Sequence, residues 1–80
     1  MDTRECVAKR FVDLCAQRNI SFRKLASLSA VHLSTVMSIL NGASQNPGIV
    51  TIKKLCDGLD ITLAEFFDTD DFRSPEQEIR

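Results

Sequence analysis

Apolar side chains recur with the period of an α-helix along most of this chain. Over Thr3–Arg18 they return about every three or four positions and form a single stripe. Shorter segments with the same period follow at Phe22–Leu28, Leu33–Leu40 and Val50–Leu59. No segment has the sustained alternation of apolar and polar residues that is typical of a strand. The pattern therefore predicts an all-α fold without a sheet.

Local signals predict where these helices begin and end. Thr3 and Ser21 belong to the residue types that cap helix starts, and Asn19 suits the left-handed conformation that often follows a helix. Ala30 lies where a turn favours glycine, at a cost on the order of 1 kcal/mol. The dipeptide Asn41–Gly42 is typical of a helix end, and a polar loop follows it.

A fifth helix and a tail are expected after these four segments. Thr62 and Glu65 have the spacing of a capping box, which predicts a short helix ending near Phe67. Residues 1–67 are therefore expected to form one domain, and residues 68–80 an acidic tail.

The tail leaves two alternatives open. Its acidic composition is typical of a frayed terminus. In contrast, Ser74, Pro75 and Gln77 have the order of a helix start, with a cap, a proline and a capping-box partner. In that case Phe72 or Ile79 would dock a terminal helix, either on the domain or on a second subunit.

Composition and charge limit the classes of protein to which this chain can belong. The 80 residues are 44% hydrophobic, which is enough for one small core. The net charge of −1 is unevenly divided: residues 1–67 contain eight basic and six acidic side chains, and residues 68–80 contain two and five. The body is thus mildly basic, which is a weak electrostatic footprint for a protein that binds nucleic acid.

The cysteines and the first residues of the chain indicate the cellular compartment in which we expect the protein. Cys6, Cys15 and Cys56 have neither a paired framework nor a metal-ligand spacing, and all lie on apolar faces of predicted helices. We expect them to be reduced core residues, with a redox-sensing thiol as the alternative. No signal peptide is evident, and no apolar run approaches the ~18 residues of a membrane span, so a cytoplasmic location is expected.

The region from Ser21 to Gly42 contains the most specific motif. Ala26 is small enough to let two helices cross closely, Ala30 lies in the turn between them, and Val36 would meet Ala26 from the second helix. This spacing is that of a helix-turn-helix, which sets its second helix into a groove of DNA.

Together with its flanking segments, the motif resembles the phage Cro/repressor-type family, the Xre-like helix-turn-helix transcriptional regulators. The likeness covers roughly residues 4–67 and rests on RKLASLSAVHLSTVMSILNG and, after a polar loop, TIKKLCDGLDITLAEFF. The resemblance implies a compact five-helix repressor-type DNA-binding domain whose helices 2 and 3 form the helix-turn-helix. It further implies a small regulator, expected to be a repressor, that binds double-stranded DNA sequence-specifically as a homodimer with helix 3 in the major groove.

The resemblance also implies roles for individual positions. The residues expected to face the bases are His32, Leu33, Ser34, Met37 and Ser38. The residues expected to contact phosphates are Ser21, Phe22, Arg23, Asn41, Ser44 and Ile49. Phe67 and Phe72 are the expected anchors of the dimer. The sequence departs from the family at Phe22, Ala30 and Leu33, where glutamine, glycine and glutamine are common, and each change removes a polar contact or adds mild strain.

Alternatives to DNA binding follow from the same residues. The apolar side chains on and beside helix 3 (Phe22, Leu33, Met37 and Leu40) suggest a protein-interaction module that keeps the fold but has lost DNA binding. His32 either contacts DNA or is an exposed residue at a helix start without a special role. The chain lacks a nucleophile–base pair, a glycine-rich phosphate loop and a metal-ligand cluster, so no enzyme, cofactor, metal or small-molecule ligand is expected.

Overall fold

The computed structural model describes residues 1–74 and 77–79, and within these residues the chain forms six α-helices and no strand. The helices are α1 (Thr3–Arg18), α2 (Phe22–Ser29), α3 (Leu33–Leu40), α4 (Ile49–Gly58), α5 (Leu63–Phe67) and α6 (Asp70–Arg73). The predicted all-α fold is confirmed, and α1 and α3 have the predicted bounds. The end of α2 lies one residue later than predicted, and α4 begins and ends one residue earlier.

The caps of α1 are partly as predicted. Asn19 follows the helix in the left-handed conformation, with φ of 53°, as its residue type suggests. The N-cap, however, is Asp2 and not Thr3, because Asp2 Oδ1 accepts a hydrogen bond from the backbone N–H of Glu5 at 2.8 Å. A carboxylate at this position also interacts favourably with the positive end of the helix dipole, which a threonine hydroxyl does not.

The predicted starts of α2 and α5 are confirmed by their hydrogen bonds. The backbone N–H of Lys24 donates to Ser21 Oγ at 3.0 Å. Thr62 and Glu65 form the reciprocal capping box, with both hydrogen bonds 3.0 Å long. Side chains close in sequence therefore fix where these two helices begin.

The turn of the helix-turn-helix is left-handed at Ala30. Its φ and ψ are 53° and 39°, and the next residue, Val31, donates its N–H to the carbonyl of Ala26 at 3.1 Å. A side chain with a Cβ is strained in this conformation, so the expectation of a glycine-like position is confirmed.

Replacing Ala30 with glycine is expected to stabilise the domain by about 0.5–1 kcal/mol. Relief of the left-handed strain favours the folded state, and the larger freedom of glycine in the unfolded chain offsets part of that gain. Urea denaturation followed by circular dichroism measures the change. Ala16, exposed within α1, is the matched control, because Ala16→Gly should destabilise by about 0.5–1 kcal/mol. A similar loss in both variants would contradict the strain at Ala30.

The core lies where α1 to α5 meet. Ala26 and Val36 both belong to it, at 5% and 1% exposure, as the helix-turn-helix spacing requires. The rings of Phe11 and Phe66 pack at its centre, with their centroids 4.6 Å apart. The buried cluster consists of Val7, Phe11, Leu14, Cys15, Leu25, Ala26, Val36, Ile39, Ile52, Leu55, Cys56, Leu59 and Phe66.

Helices α2 and α4 cross closely at Gly58. A Cβ built on Gly58 would overlap Ser29 Oγ and lie 3.1 Å from both the backbone N and the Cβ of Ser29. The Ser29 side chain is buried, and its hydroxyl has no hydrogen-bond partner among the described residues. The absence of a side chain at Gly58 therefore sets the distance between the two helices.

Two sets of contacts hold α5 on α1 and α6 on α5. The Arg10 guanidinium donates to the carbonyl oxygens of Glu65 and Phe66 at 3.0 and 2.8 Å, which satisfies the end of α5. In α6, the Phe72 ring packs against Phe66 and Phe67, with centroids 5.9 and 4.9 Å apart. The chain therefore continues to pack on the domain after residue 67, and the division of the domain from a tail at that point stays a prediction.

The short helix α6 was not predicted, and the end of the chain is only partly described. The alternative helix start at residues 74–77 includes Pro75 and Glu76, which lie outside the described residues. Gln77 to Ile79 are not helical, and Ile79 is 82% exposed.

All three cysteines are buried free thiols, as predicted. Burial raises the pKa of each thiol, that of Cys56 to about 11. Because thiolates are the reactive form, this environment favours the role of core residues over that of redox sensors.

No helix in the described part of the chain combines the length and the apolar character that a membrane crossing requires.

Candidate nucleic-acid interface

Helix α3 buries one face and exposes the other. Val36 and Ile39 are 1% and 2% exposed and anchor the helix in the core. The residues predicted to contact bases are all exposed or half-buried: His32, Leu33, Ser34, Met37 and Ser38. The exposed face contains hydroxyl groups and a thioether but no charged side chain within the helix itself. Serine hydroxyls can donate to or accept from base edges, and apolar side chains can contact thymine methyl groups.

The start of α2 presents backbone donors beside a free positive charge. The first N–H groups of a helix have no partner within it, and Ser21 Oγ satisfies only that of Lys24. The Phe22 side chain packs against the core, so its contribution to an anion site comes from its N–H. The guanidinium of Arg23 is exposed and has no ion pair in the described part of the chain.

The loop after α3 folds back on that helix. Asn41 Oδ1 accepts the backbone N–H of Ala43 at 2.9 Å, and the N–H of Ser44 donates to the carbonyl of Ser38 at 2.9 Å. These bonds hold Asn41, which is exposed, and Ser44, which is half-buried, next to the end of α3.

Helix α4 begins without a side-chain cap. Its N-cap is Gly48, so the first N–H groups of the helix remain available to a ligand. Ile49 and Val50, the first two residues of the helix, are 57% and 66% exposed. The start of a helix favours negative charge, and the phosphate contact expected at Ile49 stays a prediction.

Ion pairs leave some basic side chains engaged and others available. Lys9, Lys53 and Arg73 are each paired with a carboxylate. Within the described residues, Arg23 and Lys24 have no such partner, so their charges remain available beside the start of α2.

One basic residue near this surface is absent from the sequence-based predictions. The Arg4 guanidinium lies next to Gly42, because a Cβ built on Gly42 would be 2.9 Å from Arg4 Nη1. The two residues are far apart in sequence, one in α1 and the other in the loop between α3 and α4, so no local pattern indicates the contact.

Phe67 and Phe72, the expected dimer anchors, pack against each other within the chain. Their rings meet edge to face with centroids 4.9 Å apart, and both side chains are half-buried. Part of each ring remains accessible, and their role in a dimer stays a prediction.

The fold and the exposed face of α3 define a helix-turn-helix domain, and comparisons with known proteins agree. Residues 11–71 match the Cro/C1-type HTH DNA-binding domain. The chain is similar to the prophage Lp1 protein 11, whose crystal structure is known, with a TM-score of 0.81 and 33% sequence identity. The similarity covers 92% of this chain and 99% of that one. A comparison with curated proteins finds no match.

This chain therefore belongs to the Cro/C1-type helix-turn-helix family. The resemblance to phage Cro/repressor-type regulators that the sequence indicates is confirmed. Membership in this family indicates DNA binding by a regulatory protein.

Proposed function

We propose that the protein is a sequence-specific regulator of transcription, acting as a repressor, that binds double-stranded DNA as a homodimer with α3 in the major groove. The observation that supports this most directly is the exposure of α3. Its buried face is locked in the core by Val36 and Ile39, and His32, Ser34 and Met37 face solvent. A rigid helix with a free face is what major-groove binding requires.

Base recognition in this proposal is modest for each subunit. Ser34 and Ser38 form single hydrogen bonds to base edges, and Leu33 and Met37 contact thymine methyl groups. None of these side chains makes the bidentate contacts that arginine, asparagine or glutamine form with purines. A second subunit and the shape of the DNA then supply much of the specificity.

Phosphate contacts flank the recognition helix on both sides. The start of α2 (Ser21, Phe22 and Arg23) lies before it, and the loop residues Asn41 and Ser44 with the start of α4 at Ile49 lie after it. Such contacts fix the position of the domain on the duplex without selecting a sequence.

The alternative, a protein-interaction module, is less well supported than the sequence suggests. It depends on an apolar patch of Phe22, Leu33, Met37 and Leu40. Phe22, Leu33 and Leu40 are half-buried and pack against the core, and only Met37, 39% exposed, is an exposed member of the patch.

Selection of bound fragments from the source genome tests the proposal. We expect enrichment of sites with approximate two-fold symmetry, and affinity for them that falls steeply as salt is raised. The absence of binding to any duplex, even at low salt, would contradict it. A regulator of this kind must reach genomic DNA, so the cytoplasmic location expected from the sequence is part of this proposal.

A further inference from the structure

The loop between α3 and α4 lacks a charge of its own. Residues 41–48 contain only small, polar and proline side chains, although Asn41 and Ser44 are among the proposed phosphate contacts. A loop that contacts phosphate gains most of its affinity from nearby cations, since neutralised phosphates release their counterions. The source of such a charge therefore has to lie elsewhere in the chain.

We propose that Arg4, in the first turn of α1, binds the DNA phosphate that contacts this loop. The inference rests on the proposed function and adds a residue to the same site. A Cβ built on Gly42 would lie 2.9 Å from Arg4 Nη1, 3.6 Å from its Cζ and 4.0 Å from its Nη2. The whole guanidinium is therefore adjacent to the main chain of Gly42, at the point where the loop leaves α3.

The donors of Arg4 are not needed to hold the loop in place. The Gly42 carbonyl already accepts the side-chain amide of Gln45 at 2.7 Å, and Ser44 bonds back to Ser38. No hydrogen bond or ion pair occupies the Arg4 guanidinium within the described residues, and the residue is half-buried. Its stem is thus partly ordered by packing, and its five N–H donors remain free for a ligand.

Arg4 lines a cleft between the start of α1 and the α3–α4 loop, and two carboxylates that line the same cleft have other partners. Asp2 caps α1 through the N–H of Glu5, and Glu78 Oε1 accepts the N–H of Thr3 at 3.1 Å. Their charges moderate the attraction of an anion to the cleft without pairing directly with the guanidinium.

A phosphate diester suits this arrangement better than a base edge does. The planar guanidinium matches phosphate oxygens with two parallel hydrogen bonds, and the neighbouring Asn41 and Ser44 supply neutral polar groups. Because phosphate contacts are independent of sequence, Arg4 contributes to affinity on every duplex and not to base preference.

The test compares Arg4→Gln with Arg18→Gln at the other end of α1. Both variants remove one positive charge from the same helix and keep a long polar side chain, and Arg18 is exposed. Binding is measured by fluorescence anisotropy with a duplex recovered by genomic selection and with an unrelated duplex, over a range of salt concentrations. We expect Arg4→Gln to weaken binding to both duplexes about 10-fold and to reduce the salt slope by about one phosphate contact, whereas Arg18→Gln changes both little.

The outcomes separate this inference from the proposed function. If the unaltered protein binds DNA with the expected salt dependence and the two variants behave alike, Arg4 is not a phosphate contact and the proposed function stands. If the unaltered protein binds no duplex, both proposals fail. Thermal melting shows whether each variant is folded. Arg4→Lys keeps the positive charge, so we expect this variant, when folded, to have the same salt slope as the unaltered protein. A slope that stays low in folded Arg4→Lys would overturn the charge-based contact.

Discussion

A Ser34→Glu variant is expected to bind DNA at least about 100-fold more weakly than the unaltered protein while remaining folded. Ser34 is exposed at the second position of α3, in the centre of the proposed groove-facing surface. A carboxylate placed among phosphates is repelled by several kcal/mol, and 100-fold corresponds to about 2.7 kcal/mol. Glutamate in the first turn of a helix interacts favourably with the dipole, so no loss of stability is expected. Anisotropy titrations at one fixed salt concentration measure the effect.

The matched control for this variant is Ala64→Glu. Ala64 is also exposed and occupies the second position of α5, so the substitution introduces the same charge at the same place in a helix. It should weaken binding only slightly, through long-range repulsion that salt screens. Equal losses in the two variants, or unchanged binding by Ser34→Glu, would exclude α3 as the groove-binding element.

A Gly58→Ala variant is expected to lose about 2 kcal/mol of folding free energy. The new methyl group would overlap Ser29 Oγ, and rotation of that hydroxyl would not relieve the 3.1 Å approach to the Ser29 backbone N and Cβ. Overpacking of this kind costs about 1–3 kcal/mol, and the better helix propensity of alanine recovers less than about 1 kcal/mol. For a domain of this size, thermal melting should show a decrease of roughly 10 °C.

Two further variants identify the cause of that loss. Gly48→Ala places a methyl group at the other end of α4, where nothing lies within 4 Å of it, and should change stability by less than about 1 kcal/mol. Ser29→Ala removes the unpaired hydroxyl and should be neutral or slightly stabilising. Combined with Gly58→Ala, it should recover part of the loss. Additive effects of the two substitutions would show that the α2–α4 crossing is not the origin.

The features of the fold that were predictable from the sequence depend on short-range chemistry. Ser21 and the pair Thr62 and Glu65 cap helices through bonds to N–H groups only three positions away. Asn19 and Ala30 follow helices in the left-handed conformation, which the residue types and their positions in the pattern indicate. Residues that are only a few positions apart have few possible partners. The sequence pattern therefore identifies these contacts without knowledge of the tertiary structure.

The features that were missed depend on contacts between distant segments. Helix α6 has an acidic first turn and a threonine before it, but its formation also requires Phe72 to pack on the rings of Phe66 and Phe67. The placement of Arg4 beside Gly42 joins α1 to the α3–α4 loop. Asp2 and Thr3 are adjacent, and both are residue types that cap helix starts. Periodicity alone therefore does not indicate which of them is the N-cap of α1.

The candidate site was predicted only in part, because helical spacing indicates the direction of a side chain but not its tertiary contacts. Helical spacing indicates which face of α3 is buried, and the positions assigned to bases are exposed or half-buried accordingly. Spacing does not indicate how far a residue at the edge of that face is covered. The sequence predicts an open apolar patch of Phe22, Leu33, Met37 and Leu40, whereas all of these except Met37 are half-buried and pack against the core.

The burial of the three thiols has a practical consequence for spectroscopy. Maleimide reagents attack thiolates, so Cys6, Cys15 and Cys56, shielded from solvent and with raised pKa values, should react slowly in the folded protein. A Met37→Cys variant would then offer one fast-reacting position on the exposed face of α3. A fluorophore or spin label attached there would report whether the proposed homodimer forms, through the distance between the two copies of α3, without removal of the native cysteines.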